Sequence, residues 1–134
     1  MDWNVEAGLK YTKKHEWVKW EEGDDTALVG ISDYAQDKLG SIVFVEFPDP
    51  DTEVKAGDSV AVIESVKAVA DTYSPVEGTI VAVNEVLLDQ PELLNEDPYG
   101  DGWMVKIQLA PGQDFSGLMD VEEYKAHIIK EEEA

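Results

Sequence analysis

The feature that most restricts this chain is a near-repeat of six residues. Gly57-Asp-Ser-Val-Ala-Val62 and Gly78-Thr-Ile-Val-Ala-Val83 share the pattern G-x-x-V-A-V, each reached through a turn, Lys55-Ala-Gly57 or Ser74-Pro-Val-Glu-Gly78. Valine is stiff at χ1 and suits a pleated strand, whereas glycine and proline punctuate turns, so each copy opens a strand. Two strands in matching settings predict two related β-units, packed as a sandwich or flattened barrel with pseudo-two-fold symmetry. Between them lies Ile63-Glu-Ser-Val-Lys-Ala-Val-Ala-Asp71, with Lys67 about midway. This lysine falls at the turn joining the units.

A strand–turn–strand tip holds its side chain in solvent, within reach of a modifying enzyme, and the apolar strands on either side fix its register. Lysine is also the residue whose amine can be acylated, which removes its charge and adds the chemistry of the attached group.

The remaining segments extend a mainly β reading. Glu16-Trp-Val-Lys-Trp20 and Thr26-Ala-Leu-Val-Gly-Ile31 flank the turn-rich Glu21–Asp25 and predict a hairpin. Ser32 has the character of an N-cap and Gly40 that of a helix stop, so Ser32–Leu39 predicts a helix of about two turns. Ser41–Phe47 is apolar on nearly both faces and predicts a buried strand ended by Pro48. Asn84–Asn95, broken by Pro91, predicts short helical turns, and Trp103–Leu109 a closing strand. Asp120 and Glu123 form an acidic capping box, and the stripe Val121, Tyr124, Ile128, Ile129 makes the C-terminal helix amphipathic, over about 120–130. Glu131-Glu-Glu133 reads as a frayed, solvated tail. The whole chain, 1–134, is expected to be one domain with its core over about 9–110.

Charge narrows the functional classes. Ten lysines and no arginine stand against 30 acidic residues, a net charge of −20. That field repels nucleic acid and anionic membranes, favours a monomer and steers basic partner surfaces toward the chain. Cysteine is absent, which removes disulfides and thiolate chemistry, and the two histidines, His15 and His127, lie too far apart in sequence to read as a metal pair. Asp97–Asp101 lacks the register of a calcium loop. No nucleophile–base arrangement or phosphate loop is evident, so the chain is not expected to be an enzyme. No apolar run approaches the roughly 20 residues of a membrane span. The first residues resemble neither a signal nor a transit peptide, so a cytoplasmic location is expected, or a mitochondrial matrix after leader removal.

Five segments, in order, resemble the H-protein family of the glycine cleavage system. They are Tyr11-Thr-Lys-Lys-His-Glu-Trp-Val18, Gly30-Ile-Ser-Asp-Tyr-Ala-Gln-Asp-Lys-Leu-Gly40, Glu64-Ser-Val-Lys-Ala68 with Ser74-Pro-Val-Glu-Gly78 following it, and Asp97-Pro-Tyr-Gly-Asp-Gly-Trp103. The resemblance implies a lipoyl/biotinyl-carrier-like sandwich and lipoate joined by an amide to Lys67, between Val66 and Ala68. Glu64 matches a position read by the lipoylating enzyme. The implied role is non-catalytic. The lipoyl-lysine accepts the aminomethyl group of glycine from glycine decarboxylase, a pyridoxal-phosphate enzyme, delivers it to an aminomethyltransferase and is reoxidised by dihydrolipoamide dehydrogenase. The family shelters the loaded arm in a cleft, whose matching positions here are His15, Glu16, Tyr34 and Asp71, with Glu16 or Asp71 facing the cationic amine. Lys14 brings a cation near that cleft, and Tyr34 stands where histidine is frequent. Pro48-Asp-Pro-Asp51 ends where the family commonly has glycine, but aspartate tolerates φ > 0 and keeps the turn. Two related roles carry similar motifs: a relay donating lipoate to other apo-proteins, and a lipoyl or biotinyl domain of another complex. The latter usually has Asp-Lys-Ala or Met-Lys-Met at its tip and Ala/Pro-rich linkers.

Overall fold

The computed structural model describes residues 3–133 and arranges them as two sheets and four helices. Strands β1 (Lys10–Tyr11), β2 (Glu16–Lys19) and β3 (Thr26–Ile31) run antiparallel in turn, and the expected hairpin is the β2–β3 pair. Helix α1 (Asp33–Leu39) follows, with Ser32 capping it through the Ala35 N–H and Gly40, at φ 81°, ending it. Strands β4 (Ile42–Glu46), β5 (Glu53–Val54), β6 (Ser59–Ser65), β7 (Val69–Tyr73) and β8 (Gly78–Val83) come next. The two helical turns α2 (Val86–Asp89) and α3 (Leu93–Glu96) lead to β9 (Val105–Leu109) and the closing helix α4 (Val121–Glu133).

One sheet has the order β1-β2-β3-β9-β8-β5 and the other β4-β6-β7. The two G-x-x-V-A-V copies therefore lie in opposite sheets, β6 between β4 and β7 and β8 between β9 and β5, as a two-fold sandwich requires. Both carry an irregularity at the same step of the repeat, between Ser59 and Ala61 and between Ile80 and Ala82. Their glycines nevertheless serve different ends. Gly57 has φ 95°, open to glycine at little cost, whereas a Cβ on Gly78 would strike the carbonyl of Gln108 on β9. Between the sheets lie Val29, Ile63, Val76, Ile80, Leu87, Leu94, Met104 and Ile107, all nearly inaccessible to solvent.

Four expectations are corrected. Strand β4 is not buried on both faces: it is an edge strand, so only Ile42 and Val45 face the core, while Val43 and Phe44 are 54% and 41% exposed. A register shift between Ile42 and Phe44 accompanies the change of face. Strand β9 starts at Val105 and lies inside its sheet, paired to both β3 and β8. The capping box forms as expected, Asp120 N–H to Glu123 Oε1 at 3.1 Å and Glu123 N–H to Asp120 Oδ1 at 2.9 Å. The stripe of α4 rests on Tyr124 and Ile128 alone, and Ile129 turns outward. Finally, Glu131–Glu133 is no frayed tail. It is the last turn of α4, and two of its carboxylates are engaged by the rest of the protein.

Helix α4 closes a second, aromatic core on the outer side of β1 and β2. Leu9, Tyr11, Trp17, Tyr34, Tyr124 and Ile128 form it, so burial extends well past residue 110. Tyr11 and Tyr124 stack with centroids 4.3 Å apart and planes 3° from parallel.

Candidate functional site

Lys67 stands at the tip of the β6–β7 hairpin, in the two-residue loop between Ser65 and Ala68. The loop is tied at its base, Ser65 N–H donating to the Ala68 carbonyl at 2.8 Å. The Ser65 hydroxyl accepts from the N–H groups of Lys67, at 3.3 Å, and Ala68, at 3.1 Å. Val66 N–H donates to the Ser41 carbonyl at 3.0 Å and moors the tip to the end of α1. Val66, Lys67 and Ala68 are all exposed, and among the described residues no carboxylate pairs with the Lys67 ammonium. The lysine stem passes Gly40, where an added Cβ would lie 3.4 Å from Lys67 Cε. Glu64 is half-buried in β6, in register with Phe44 on one side and Val69 on the other. Exposed apolar side chains, Val66 and Val69, flank the lysine along the hairpin, and Phe44 is exposed on β4 across Glu64 from Val69.

Beside the hairpin is a cleft of about 240 Å³. The four expected residues, His15, Glu16, Tyr34 and Asp71, all line it, although they come from the β1–β2 turn, the start of β2, α1 and β7. Ile31, Ala35, Leu39, Ile63 and Ala70 supply apolar wall between them. Ala70 and Lys67 are three residues apart on the hairpin, roughly 10 Å along a strand. A larger hollow of about 650 Å³ between β5, β8 and β9 is lined by Glu53, Asp58, Glu77 and Pro111 and lies on elements that do not carry Lys67.

The four residues differ in what they leave free. Glu16 is buried and has both oxygens engaged, Oε1 by the Thr12 hydroxyl at 2.6 Å and Oε2 by the Tyr73 N–H at 3.2 Å. Burial raises its pKa, and those two donors together with the Lys14 charge pull it back down. Asp71 is exposed; its Oδ1 accepts from the Ser59 hydroxyl at 3.0 Å, and among the described residues Oδ2 has no partner. Lys14 places its ammonium 4.3 Å from the centroid of the Tyr73 ring, a resting place at the cleft edge.

His15 has φ 74°, a costly conformation for a non-glycine residue, with its ring 4.6 Å from that of Tyr34 and 5.6 Å from that of Tyr124. Burial lowers its pKa, with Glu131 opposing and His127 assisting. The 2.8 Å contact from Nε2 to Glu131 Oε2 is accordingly a hydrogen bond from neutral imidazole, not a full ion pair. Because a carboxylate only accepts, the proton sits on Nε2, and Nδ1 takes the Tyr124 hydroxyl at 2.8 Å. Tyr124 in turn meets the Ser32 hydroxyl, the α1 cap, at 2.6 Å.

Sequence reasoning missed the contribution of the two ends of the chain. Tyr34 donates to Glu132 Oε2 at 2.7 Å, and Lys38 holds the same carboxylate at 3.0 Å. These contacts lower the pKa of Glu132, the Tyr34 bond most, while burial and the neighbouring carboxylates raise that of Tyr34. Trp3 packs edge-on against Tyr34 at 4.8 Å and donates to Asp37 at 2.8 Å. No local pattern marks these partners. The i, i+4 spacing of His127 and Glu131 was the available signal, and the structure brings both next to His15, although the two histidines are far apart in sequence.

A sandwich that presents a lysine on a hairpin tip beside a half-apolar cleft is a fold of the lipoyl/biotinyl-carrier type. The family model described as "Glycine cleavage H-protein" matches residues 9–132. A glycine cleavage system H protein of Vibrio campbellii is 50% identical over 127 residues, covering 95% of this chain and 100% of the relative. That of Pseudoalteromonas atlantica is 52% identical over 128 residues, covering 96% and 98%. The crystal structure of a glycine cleavage system H protein from Mycobacterium marinum superposes with a TM-score of 0.84 at 34% identity, covering 92% of this chain and 98% of that one. The chain belongs to the glycine cleavage H-protein family. These relatives do not favour the lipoate-relay or other-complex alternatives.

Proposed function

We propose that Lys67 carries lipoate through an amide bond and that the adjoining cleft receives the arm when it folds back. The observation that supports this reading most is the pairing, in a member of this family, of a lysine free of any ion pair among the described residues with a cleft that combines apolar wall and carboxylates. The residues suit the group. Leu39, Ile63 and Ala70 offer apolar surface to an alkyl chain, and the exposed platform of Val66 and Val69 leaves the amine accessible to a lipoylating enzyme. When bound, the lipoyl group supplies a redox-active dithiolane whose sulfur can hold the aminomethyl unit of glycine.

The chain's own part is tethering and shelter. A tether replaces diffusion between glycine decarboxylase, aminomethyltransferase and dihydrolipoamide dehydrogenase by a high effective concentration at each. In the cleft, Asp71 Oδ2 is the free acceptor for a cationic amine. Glu16 instead fastens the β1–β2 turn to β7 and adds negative potential from below. Tyr34 acts as wall and as the anchor of α4, in place of an imidazole. His15 closes the outer side and, with Tyr34, keeps water from the apolar wall. Glu64 is the position by which the lipoylating enzyme finds the hairpin. The protein catalyses no bond change itself and acts in the cytoplasm. Among the described residues no helix is long and apolar enough to cross a membrane.

Incubation with a lipoylating enzyme, lipoate and ATP, followed by intact-mass measurement and peptide mapping, tests the assignment. One lipoyl adduct on the peptide containing Lys67 is expected. An adduct on another lysine, or none with an enzyme shown to be active, rules it out.

A further inference from the structure

We infer that His15, His127 and Glu131 form a binding site for a divalent cation of the zinc class at the outer rim of the cleft. One ligand atom from each of the three lies within 4.8 Å of the others. Glu131 is central, with Oε2 at 2.8 Å from His15 Nε2 and Oε1 at 3.3 Å from His127 Nε2. Donors bound tetrahedrally to zinc at its usual bond lengths stand about 3.3 Å apart; the Glu131–His127 pair already has that spacing, and the remaining donors, within 4.8 Å, reach it by side-chain rotation. A fourth donor is at hand, the Lys13 carbonyl oxygen, 3.1 Å from His127 Nε2.

The scaffold suits the role. His127 and Glu131 occupy successive turns of one face of α4, a spacing that brings their side chains together. His15 is held opposite them by its left-handed backbone and by the rings of Tyr34 and Tyr124. Metal-bound imidazole needs its second nitrogen anchored, and here Nδ1 meets the Tyr124 hydroxyl. When a cation takes Nε2, the proton resides on Nδ1 and the Tyr124 hydroxyl turns to donate to Ser32, a contact in which either oxygen can be the donor. The Tyr124 hydroxyl stays paired on both sides, accepting from His15 and donating to Ser32.

Two imidazoles select Zn²⁺, Co²⁺ or Ni²⁺ over Mg²⁺ and Ca²⁺, which prefer oxygen. The net charge of −20 concentrates cations of every kind nearby, so selectivity must come from the nitrogen donors. A bound ion would pin α4 to the β1–β2 turn and stabilise the fold by mass action. The inference is independent of lipoylation at Lys67.

The test uses tag-free, chelator-treated full-length protein titrated with Co²⁺. One saturable equivalent with visible ligand-field absorption is expected, displaced by Zn²⁺ and retained in excess Mg²⁺. Zn²⁺ should raise the melting temperature of the parent protein. His127→Ala and Glu131→Gln, both on a helix surface, should each weaken Co²⁺ binding at least about tenfold and lose the Zn²⁺-induced rise, with little change in the metal-free melting temperature. Absence of a saturable signal, equal competition by Mg²⁺, or undiminished binding by His127→Ala would each overturn the site.

Discussion

The two cores of this protein are built on different principles. The sandwich core is aliphatic, with Val29, Ile63, Ile80, Leu94 and Ile107 held by burial and shape alone. The aromatic core places a polar atom on nearly every large side chain and finds each a partner. Tyr11 donates to the Glu6 carbonyl at 2.7 Å, Trp17 to the Pro98 carbonyl at 3.0 Å, and Tyr99 to the Asn4 carbonyl at 2.7 Å. The first core supports the strands that hold Lys67 rigidly at its tip. The second joins the two ends of the chain and forms the outer wall of the cleft. Nonspecific packing suffices to present a lysine, whereas a pocket for a charged group needs directed bonds, and directed bonds are sensitive to pH and to single atoms.

The contrast can be broken most severely in the sandwich. Ile107→Ala, at the centre of the larger sheet, should cost about 2–5 kcal/mol in a urea melt, since its surroundings cannot collapse around the void. A loss below about 1 kcal/mol would mean that this core is looser than the structure indicates. Tyr124→Phe removes one oxygen from the aromatic core and leaves Ser32 and His15 without that partner, a cost of about 1–3 kcal/mol. No loss on Tyr124→Phe would show that solvent satisfies those groups.

The smallest effect is on pH dependence, and it has opposite signs at two residues of the cleft. For His15, folding lowers the pKa, so the unfolded chain takes up its proton first as pH falls through 6.5, and stability drops from there toward the lowered folded value. For Glu16, folding raises the pKa, so between 4.5 and the raised value the folded state alone keeps the proton, and stability falls as pH rises through that window. Melting temperatures across pH should therefore lose slope just below pH 6.5 in His15→Gln and just above pH 4.5 in Glu16→Gln. Parallel profiles for both variants and the parent would refute the burial argument.

What the sequence disclosed follows the same division. Val60, Ala61 and Ile80 face a uniform apolar interior, so strand periodicity and turn residues were enough to anticipate the paired units and the tip between them. Ser32 and Gly40 bounded α1 because caps act within one turn. Asp51 adopts φ 73°, as its tolerance for the left-handed region suggested. Strand β4 was misjudged because periodicity reports apolar residues without saying whether a partner strand covers them, and Val43 and Phe44 are left uncovered at the sheet edge. The acidic end of α4 was misjudged for a related reason. Glu131 and Glu132 are ordinary surface residues until His15, Tyr34 and Lys38, far away in sequence, are brought to them. Of the cleft, the positions were legible by family resemblance. The engagement of both oxygens of Glu16 and the free oxygen of Asp71 emerged only in three dimensions.

Glycine–bicarbonate exchange, reconstituted with glycine decarboxylase and the lipoylated protein, tests the central claim most directly. Lys67→Arg, treated identically with the lipoylating enzyme, should support no exchange above the carrier-free blank while melting at the parent's temperature, because the lysine is exposed and makes no ion pair among the described residues. Exchange at the parent rate by Lys67→Arg would contradict the account, since the arm would then be attached elsewhere or not be needed.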